Sequence, residues 1–538
     1  MKRTHIISLI LAAVTLLSAC HRSTSPEDST LSDPFASHTT EAQTDTPPES
    51  DPIPSETTLS PAPYDPETSA PTVFVTYLSD EGGTVRGNLA QTLTDNRLTC
   101  TKVMAIADPG YRFIGWSDGS TDPVRSGDSF AVDTVITACF AQDILNLPAV
   151  SLTMEADPDR MDTDYYVDGC ISIAGCDEEY ELDHLATEIR GRGHGSWTYE
   201  KKGWKLKLSE SQSLLGLGDG RSREWVLLAN HIDRSLLRNA AATWIQQRLE
   251  LPWVADYAFV DLYLNGEYMG VYQLYEQIEE DEHKIPITPG TVEDVSYFVE
   301  LTVHADTYRF TVHSTPYEVC SNLPDTENPR AYVEAIDAHL TACLVAVKSG
   351  DYDAITRLID LDSAVNAYIV EELTKNRDTG WDSFYLYRNP GGKLVFGPVW
   401  DFDMSSGNVK ADDSSVCRHT FQYPDGLYAG NLAAAGDRQQ NPWFMALAKQ
   451  DWFWELVETR WQEVYPSLTG LPDLLRRTGD LYEDAFERNF ERWDILHERL
   501  STEAPVILTM DSCSEQISYL ADWYRQRISW LNGQWGAE

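Results

Sequence analysis

Gly397-Pro398-Val399-Trp400-Asp401-Phe402-Asp403 ends the stretch of sequence that decides the fold. Before it come Lys375-Asn376-Arg377-Asp378, then Ser383-Phe384-Tyr385-Leu386-Tyr387, then Asn389-Pro390-Gly391-Gly392 leading into Lys393-Leu394-Val395-Phe396. The order is an Asp-bearing loop after a helix, a β-hairpin, and further Asp residues at the hairpin's far end. The helix is expected to start at Asp362 as its cap and to run through Ala364, Val365, Tyr368, Ile369 and Leu373, at helical spacing. Upstream, Asp261 to Tyr272 reads as a hairpin turned at Asn265-Gly266, a pair suited to a type I′ turn. Ser235 is expected to cap an amphipathic helix running towards Leu249, and beyond about Pro442 the pattern is helical and aromatic. The sum is α+β, a mixed sheet early and helices late.

This order of parts suits phosphoryl transfer. In protein-kinase-like enzymes, which use this order, one Asp sits beside the attacking hydroxyl and another at a strand end binds Mg²⁺. Mg²⁺ takes oxygen ligands, and Asp401 and Asp403 share one face of an extended chain. Turn and cap aspartates would give the same residues without chemistry, but Phe396, Trp400 and Phe402 around them favour a site. A second constellation is Arg190-Gly191-Arg192-Gly193-His194-Gly195-Ser196-Trp197, followed by Lys201-Lys202-Gly203-Trp204-Lys205-Leu206-Lys207-Leu208. Alternate glycines let backbone N–H groups converge on an anion. In a strand over 204–208, Trp204, Leu206 and Leu208 face the core while Lys205 and Lys207 face away. A glycine turn running into a strand with a wet basic face explains the same residues more simply.

The chain has 538 residues, too many for one ordinary domain. With Lys+Arg 41 and Asp+Glu 85, its formal net charge is 41 − 85 = −44. That balance argues against a nucleic-acid partner and against electrostatic docking on anionic lipid. Basic proteins and divalent cations are favoured. No Walker sequence, HExxH or CxxC occurs. The sixteen Trp could form a glycan platform, though most are expected in the core.

Met1 to Cys20 reads as a secretion signal, with Lys2 and Arg3 before a short apolar run. Leu17-Ser18-Ala19-Cys20 resembles the lipobox of bacterial lipoproteins, which implies acylation of Cys20 and a membrane anchor on the extracellular face. Residues 21–71 are rich in Pro, Ser, Thr, Asp and Glu and are expected to form a disordered tether. Eight further cysteines are scattered; Cys100 with Cys139 and Cys170 with Cys176 are candidate bridges, and free thiols are an equal alternative. Residues 72–143 read as short strands, a small all-β module. The run Ala107 to Gly119 resembles the β-repeat modules of bacterial surface proteins such as internalins.

From 148 to 538 the sequence resembles the spore-coat CotH kinase family. The resemblance rests on several ordered stretches. They are the Arg-Gly-Arg-Gly…Ser-Trp…Lys-Lys segment at 190–202; Trp225-Val226-Leu227-Leu228-Ala229-Asn230 with Asp233, Ser235 and Arg238-Asn239; and Gly270-Val271-Tyr272 with Glu276-Gln277. Asn376-Arg377-Asp378 and the 397–403 run complete them. The resemblance implies an atypical protein-kinase-like domain that uses ATP with Mg²⁺ (or Mn²⁺) to phosphorylate Ser or Thr of an exported protein, one expected to be basic and Ser-rich. Carried over, Asp378 is catalytic and Asp401 the principal metal ligand, with Asp403 beside it. Arg192, Ser196, and Lys202 or Lys205 paired with Glu276 hold the nucleotide. Ser383 occupies the second metal position, where protein kinases carry Asn. A silent kinase-like scaffold, or a metal-dependent hydrolase on Asp378, Asp401 and Asp403, is the alternative.

Overall fold

A computed structural model describes residues 72–536, apart from 81, 95–98, 108–110, 143–146, 305–307, 325–327, 411–420, 436–440 and 501. Cys20, the signal segment and the tether lie outside the described residues. Period-2 alternation makes the first module. Its strands are β1 (Val73–Ser79), β2 (Gly83–Gly87), β3 (Ala90–Leu93), β4 (Val103–Ala107), β5 (Tyr111–Trp116), β6 (Val124–Arg125) and β7 (Thr134–Gln142). They form two sheets, β3-β1-β7-β5 and β2-β4-β6, over a small core that includes Val75, Tyr77, Trp116 and Ile136.

Next comes a closed seven-stranded barrel. Its strands are β8 (Ala149–Met154), β9 (Val167–Ala174), β10 (Leu182–Arg192), β11 (Gly203–Gln212), β12 (Ser222–Leu228), β13 (Tyr257–Leu264) and β14 (Glu267–Glu276), in the order β10-β11-β12-β14-β13-β8-β9. Trp204, Leu206, Leu208, Trp225, Leu227, Tyr272 and Leu274 fill it. Alternation then sends Arg192 and Lys205 to the outer wall. Asn265 and Gly266 both take positive φ, 51° and 86°, the type I′ turn that the sequence predicts. Between β12 and β13, α1 spans Arg238–Arg248, two residues later than a cap at Ser235 would start it. Leu236 at φ 57° breaks the helical path, and the cap is the Asp233 carboxylate, which accepts the N–H groups of Ser235 (3.0 Å) and Arg238 (2.7 Å).

The remainder is a second sheet and its helices. β15 (Tyr297–Leu301), β16 (Arg309–Val312), β17 (Thr315–Val319), β18 (Phe384–Arg388) and β19 (Val395–Val399) form an antiparallel sheet, β16-β17-β15-β18-β19. α2 (Pro329–Ser349), α3 (Tyr352–Leu358) and α4 (Leu361–Thr374) interrupt it; α5 (Pro442–Leu447), α6 (Asp451–Leu468), α7 (Leu471–Leu481), α8 (Glu483–Arg492) and α9 (Cys513–Trp535) follow. The N-cap of α4 is Asp360, which accepts Ser363 N–H at 2.9 Å; Asp362 lies in the first turn. α4 is buried on every face from Ser363 to Thr374, so it is the central helix of the largest core. The fold is α+β. All seven described cysteines outside the first 71 residues are free, so neither candidate bridge forms.

Candidate active site

The outer wall of the barrel and one face of the second sheet meet through Val226, Leu228, Tyr275, Phe298 and Trp400. The Arg192 guanidinium, from the end of β10, lies over the Trp400 ring, 5.5 Å from its centroid. Residues two hundred positions apart thus share one cleft, and the aspartates line it.

Local structure places each aspartate. Lys375 turns α4 off at φ 50°, and Asn376 caps the following 3-10 turn, Arg377–Gly380, by accepting Asp378 N–H. Asn441 braces that turn through Thr379 O (2.8 Å) and Gly380 O (2.7 Å). Asp401 leaves β19 in the left-handed region, φ 66°. It is held there from the α1 side: Asn239 Oδ1 accepts Phe402 N–H at 2.9 Å while its Nδ2 donates to Asn230 Oδ1 at 3.0 Å. Arg238 donates to Ser405 O (3.2 Å), and Asn408 Nδ2 donates to Asp403 O (2.7 Å).

The electrostatics follow from crowding like charges in a low dielectric. Burial, then the charges of Asp401 and Asp382, push Asp378 from its ordinary 3.8 up to about 8. Burial raises Asp401, opposed by Arg192 and reinforced by Asp382. Burial raises Asp403 well above the usual range, with Asp401, Asp378 and Asp233 adding to it and Arg192 opposing. Asp401 and Asp403 keep partial solvent access, so this is an open cleft, not a sealed core. Asp378 Oδ1 and Asp382 Oδ1 are buried without a hydrogen-bond partner.

The expected residues divide. Asp378, Asp401, Asp403 and Arg192 converge. Ser196 sits in the glycine-rich loop, in a 3-10 turn at Ser196–Thr198; Gly193 there takes φ 107°, and a Cβ on it would meet Ser196 Oγ at 1.9 Å. Tyr199 of the same loop stacks on His231 at 4.6 Å and feels the charge of Asp403. The expected Lys–Glu276 pair is a correction. Glu276 lies opposite Trp225 and so points away from the outer wall; it accepts Asp256 N–H at 3.0 Å, and burial raises it to about 7. Lys205 pairs instead with Glu224, 2.6 Å away. The two strands are adjacent, and alternation puts both residues on the same outer face, the signal that would have found Glu224. Lys202 lies over Trp197, 4.8 Å from its ring, in a separate 640 Å³ cavity at the barrel rim that includes Glu267, Arg492 and Trp493. Lys201 is wholly buried, donating to Val271 O (2.6 Å) and Asn489 Oδ1 (2.7 Å), and burial holds its amine well below its ordinary 10.5.

Among the described residues, no three His, Cys, Asp or Glu side chains are grouped closely enough to hold a metal ion on their own. The donor chemistry is nonetheless that of a hard cation: carboxylates, two of their oxygens buried and orphaned. Mg²⁺ is commonly held by one or two carboxylates, with phosphate oxygens and water completing its shell. Asp401 with Asp403 or Asp378 fits that mode. A cavity of about 10 Å³ behind Asp401, bounded by Thr243, Gln246 and Tyr275 among others, is water-sized.

Residues 73–144 match the divergent InlB B-repeat domain, the β1–β7 module. Residues 189–531 match the family described as CotH kinase protein, well over half of the chain. Among curated proteins, none matches the chain. The glycine-rich loop, the Asp233–Asn239 segment and both aspartate turns all fall within residues 189–531, and the chain belongs to the CotH kinase family.

Proposed function

We propose that the protein is a protein kinase that transfers the γ-phosphoryl group of Mg·ATP to Ser or Thr of an exported protein, at the outer face of a membrane to which acylated Cys20 anchors it. The observation that carries the reading is the orphaned Oδ1 of Asp378, within electrostatic reach of Asp401 and Asp403 in a cleft whose opposite wall presents Arg192. Asp378, once ionised by the arrival of a cation beside it, accepts the proton of the substrate hydroxyl as the hydroxyl oxygen bonds to the γ-phosphorus. The bond from that phosphorus to the ADP oxygen breaks, and ADP leaves with the electron pair. Arg192 lies where it can meet phosphate charge. Asp401 and Asp403 would hold Mg²⁺, which supplies charge neutralisation when bound. The acidic chain, at −44, favours a basic substrate.

The test is to incubate the purified full chain with γ-labelled ATP and Mg²⁺ or Mn²⁺, with and without a basic Ser-rich protein. Label on Ser or Thr that disappears with Asp378→Asn is expected. No transfer, together with no metal-dependent nucleotide binding at millimolar concentration, sinks the enzyme. A silent scaffold is the second reading, favoured by the missing three-ligand group among the described residues.

A further inference from the structure

Ser383 stands five residues after Asp378, the position at which protein kinases carry a metal-binding Asn. The structure commits the backbone of this residue, though not its hydroxyl, elsewhere. Its backbone lies at φ 51°, and its N–H donates to the Glu300 carboxyl on β15.

The neighbouring side chain behaves differently. Asp382 N–H donates to the Asp378 carbonyl at 2.9 Å, which ties both residues into one turn. Asp382 Oδ1 is buried and has no hydrogen-bond partner. Its carboxylate lies within electrostatic reach of Asp378, Asp401 and Glu300. Asp378, 8% exposed, presents a second orphaned oxygen in the same cleft. Buried acceptors without donors are rare in folded proteins, and each needs an explanation such as a bound ion, a water or a catalytic role. Two of them, both on carboxylates, call for a cation.

Resting on the kinase reading, we infer that Asp382 is a cation ligand of this site and that Ser383 is not. Because no three-carboxylate group is preformed among the described residues, the remaining ligands come from phosphate oxygens and water. A divalent cation therefore binds weakly alone and tightly together with a nucleoside triphosphate. A carboxylate in place of the usual amide adds a negative charge, which favours a hard divalent ion over a monovalent one.

Mn²⁺ uptake by the full chain, followed by electron paramagnetic resonance with and without a non-hydrolysable ATP analogue, tests this without reference to turnover. The expected result is analogue-dependent uptake by wild type, the same uptake by Ser383→Ala, and Mn²⁺ affinity lowered about 10- to 100-fold or more in Asp382→Asn, since even a second-layer partner commonly costs that much. Unchanged affinity in Asp382→Asn, or a loss in Ser383→Ala instead, overturns the inference while leaving the kinase reading in place. Absence of analogue-dependent uptake in wild type overturns both. If Asp382→Asn does not fold, Asp382→Glu decides: it keeps the charge but lengthens the arm, so a changed Mn²⁺ spectrum supports the ligand role, and an unchanged spectrum and affinity refute it.

Discussion

Replacing Asp233 with Ala should damage the protein out of proportion to one surface-sized side chain. Asp233 and Arg238 form an ion pair at 2.5 Å with both side chains 0% exposed. Asp233 also accepts Ser235 N–H, Ser235 Oγ–H (2.5 Å) and Arg238 N–H. Removing it leaves a guanidinium buried without its counter-ion, which costs about 3–5 kcal/mol, and it uncaps α1, which adds roughly 1 kcal/mol. The loss should therefore be about 4–6 kcal/mol. Adding Arg238→Met removes the stranded charge. The double variant should recover most of that loss, leaving about 1–2 kcal/mol for the cap and for the hydrogen bond to Ser405 O. Equilibrium urea unfolding of the four proteins, with equal slopes, yields a coupling energy of at least about 3 kcal/mol, since Arg238→Met alone strands the buried Asp233 carboxylate. A single-variant loss below about 1 kcal/mol, or losses that simply add, would refute the reasoning. The double variant should also bind Mg·nucleotide less well, because Arg238 and Asn239 brace the turn that carries Asp401.

Three further outcomes follow from the geometry. Asp378→Asn should leave Mg·ATP binding nearly intact while phosphoryl transfer falls roughly 10²–10⁴-fold, whereas Asp401→Asn should weaken metal-dependent binding itself; calorimetry separates the two, and equal binding losses would contradict the assigned roles. Glu276 is raised from its ordinary 4.5 to about 7, so the stability it contributes is full below about pH 4.5 and is lost as pH rises through 7, by up to about 3 kcal/mol; melting curves of Glu276→Gln should fall less between pH 5 and 8 than those of wild type, and parallel curves would count against it. Lys205→Met should reduce nucleotide affinity more than Lys202→Met, because only Lys205 lies on the cleft wall; the reverse order would return the role to Lys202.

The parts that sequence revealed are those set by neighbours along the chain. Alternation over 204–208 put Trp204 and Leu206 inward, Asn265-Gly266 announced its hairpin, and the order Asp378, hairpin, Asp401 survives intact. Parts set by distant pairing were not legible. Barrel closure depends on β8 lying parallel to β13, with Ala149 opposite Asp261, and no local pattern encodes that meeting. Ser235 and Asp362 are good caps by composition, yet Asp233 and Asp360 win because Leu236 adopts a left-handed turn and Asp360 reaches Ser363 N–H. Glu276 was assigned by analogy, where strand alternation would have chosen Glu224. The bracing residues Arg238 and Asn239 were visible as a motif, but their task shows only once Phe402 and Ser405 come within reach.

The charges on the two sides of the cleft are unequal. Asp378, Asp382, Asp401 and Asp403 act on one another there, and Arg192 is the cation that opposes Asp401 and Asp403. Low-dielectric walls focus such a field outward, so the entrance selects visitors by sign before any contact forms. On the proposed kinase reading, a bare triphosphate would approach a region of its own charge and be turned back, while one already carrying a divalent ion would arrive partly neutralised, with its positive end leading. Capture should therefore slow when free nucleotide exceeds the available metal, and added salt should blunt that discrimination over a distance of about 8–10 Å.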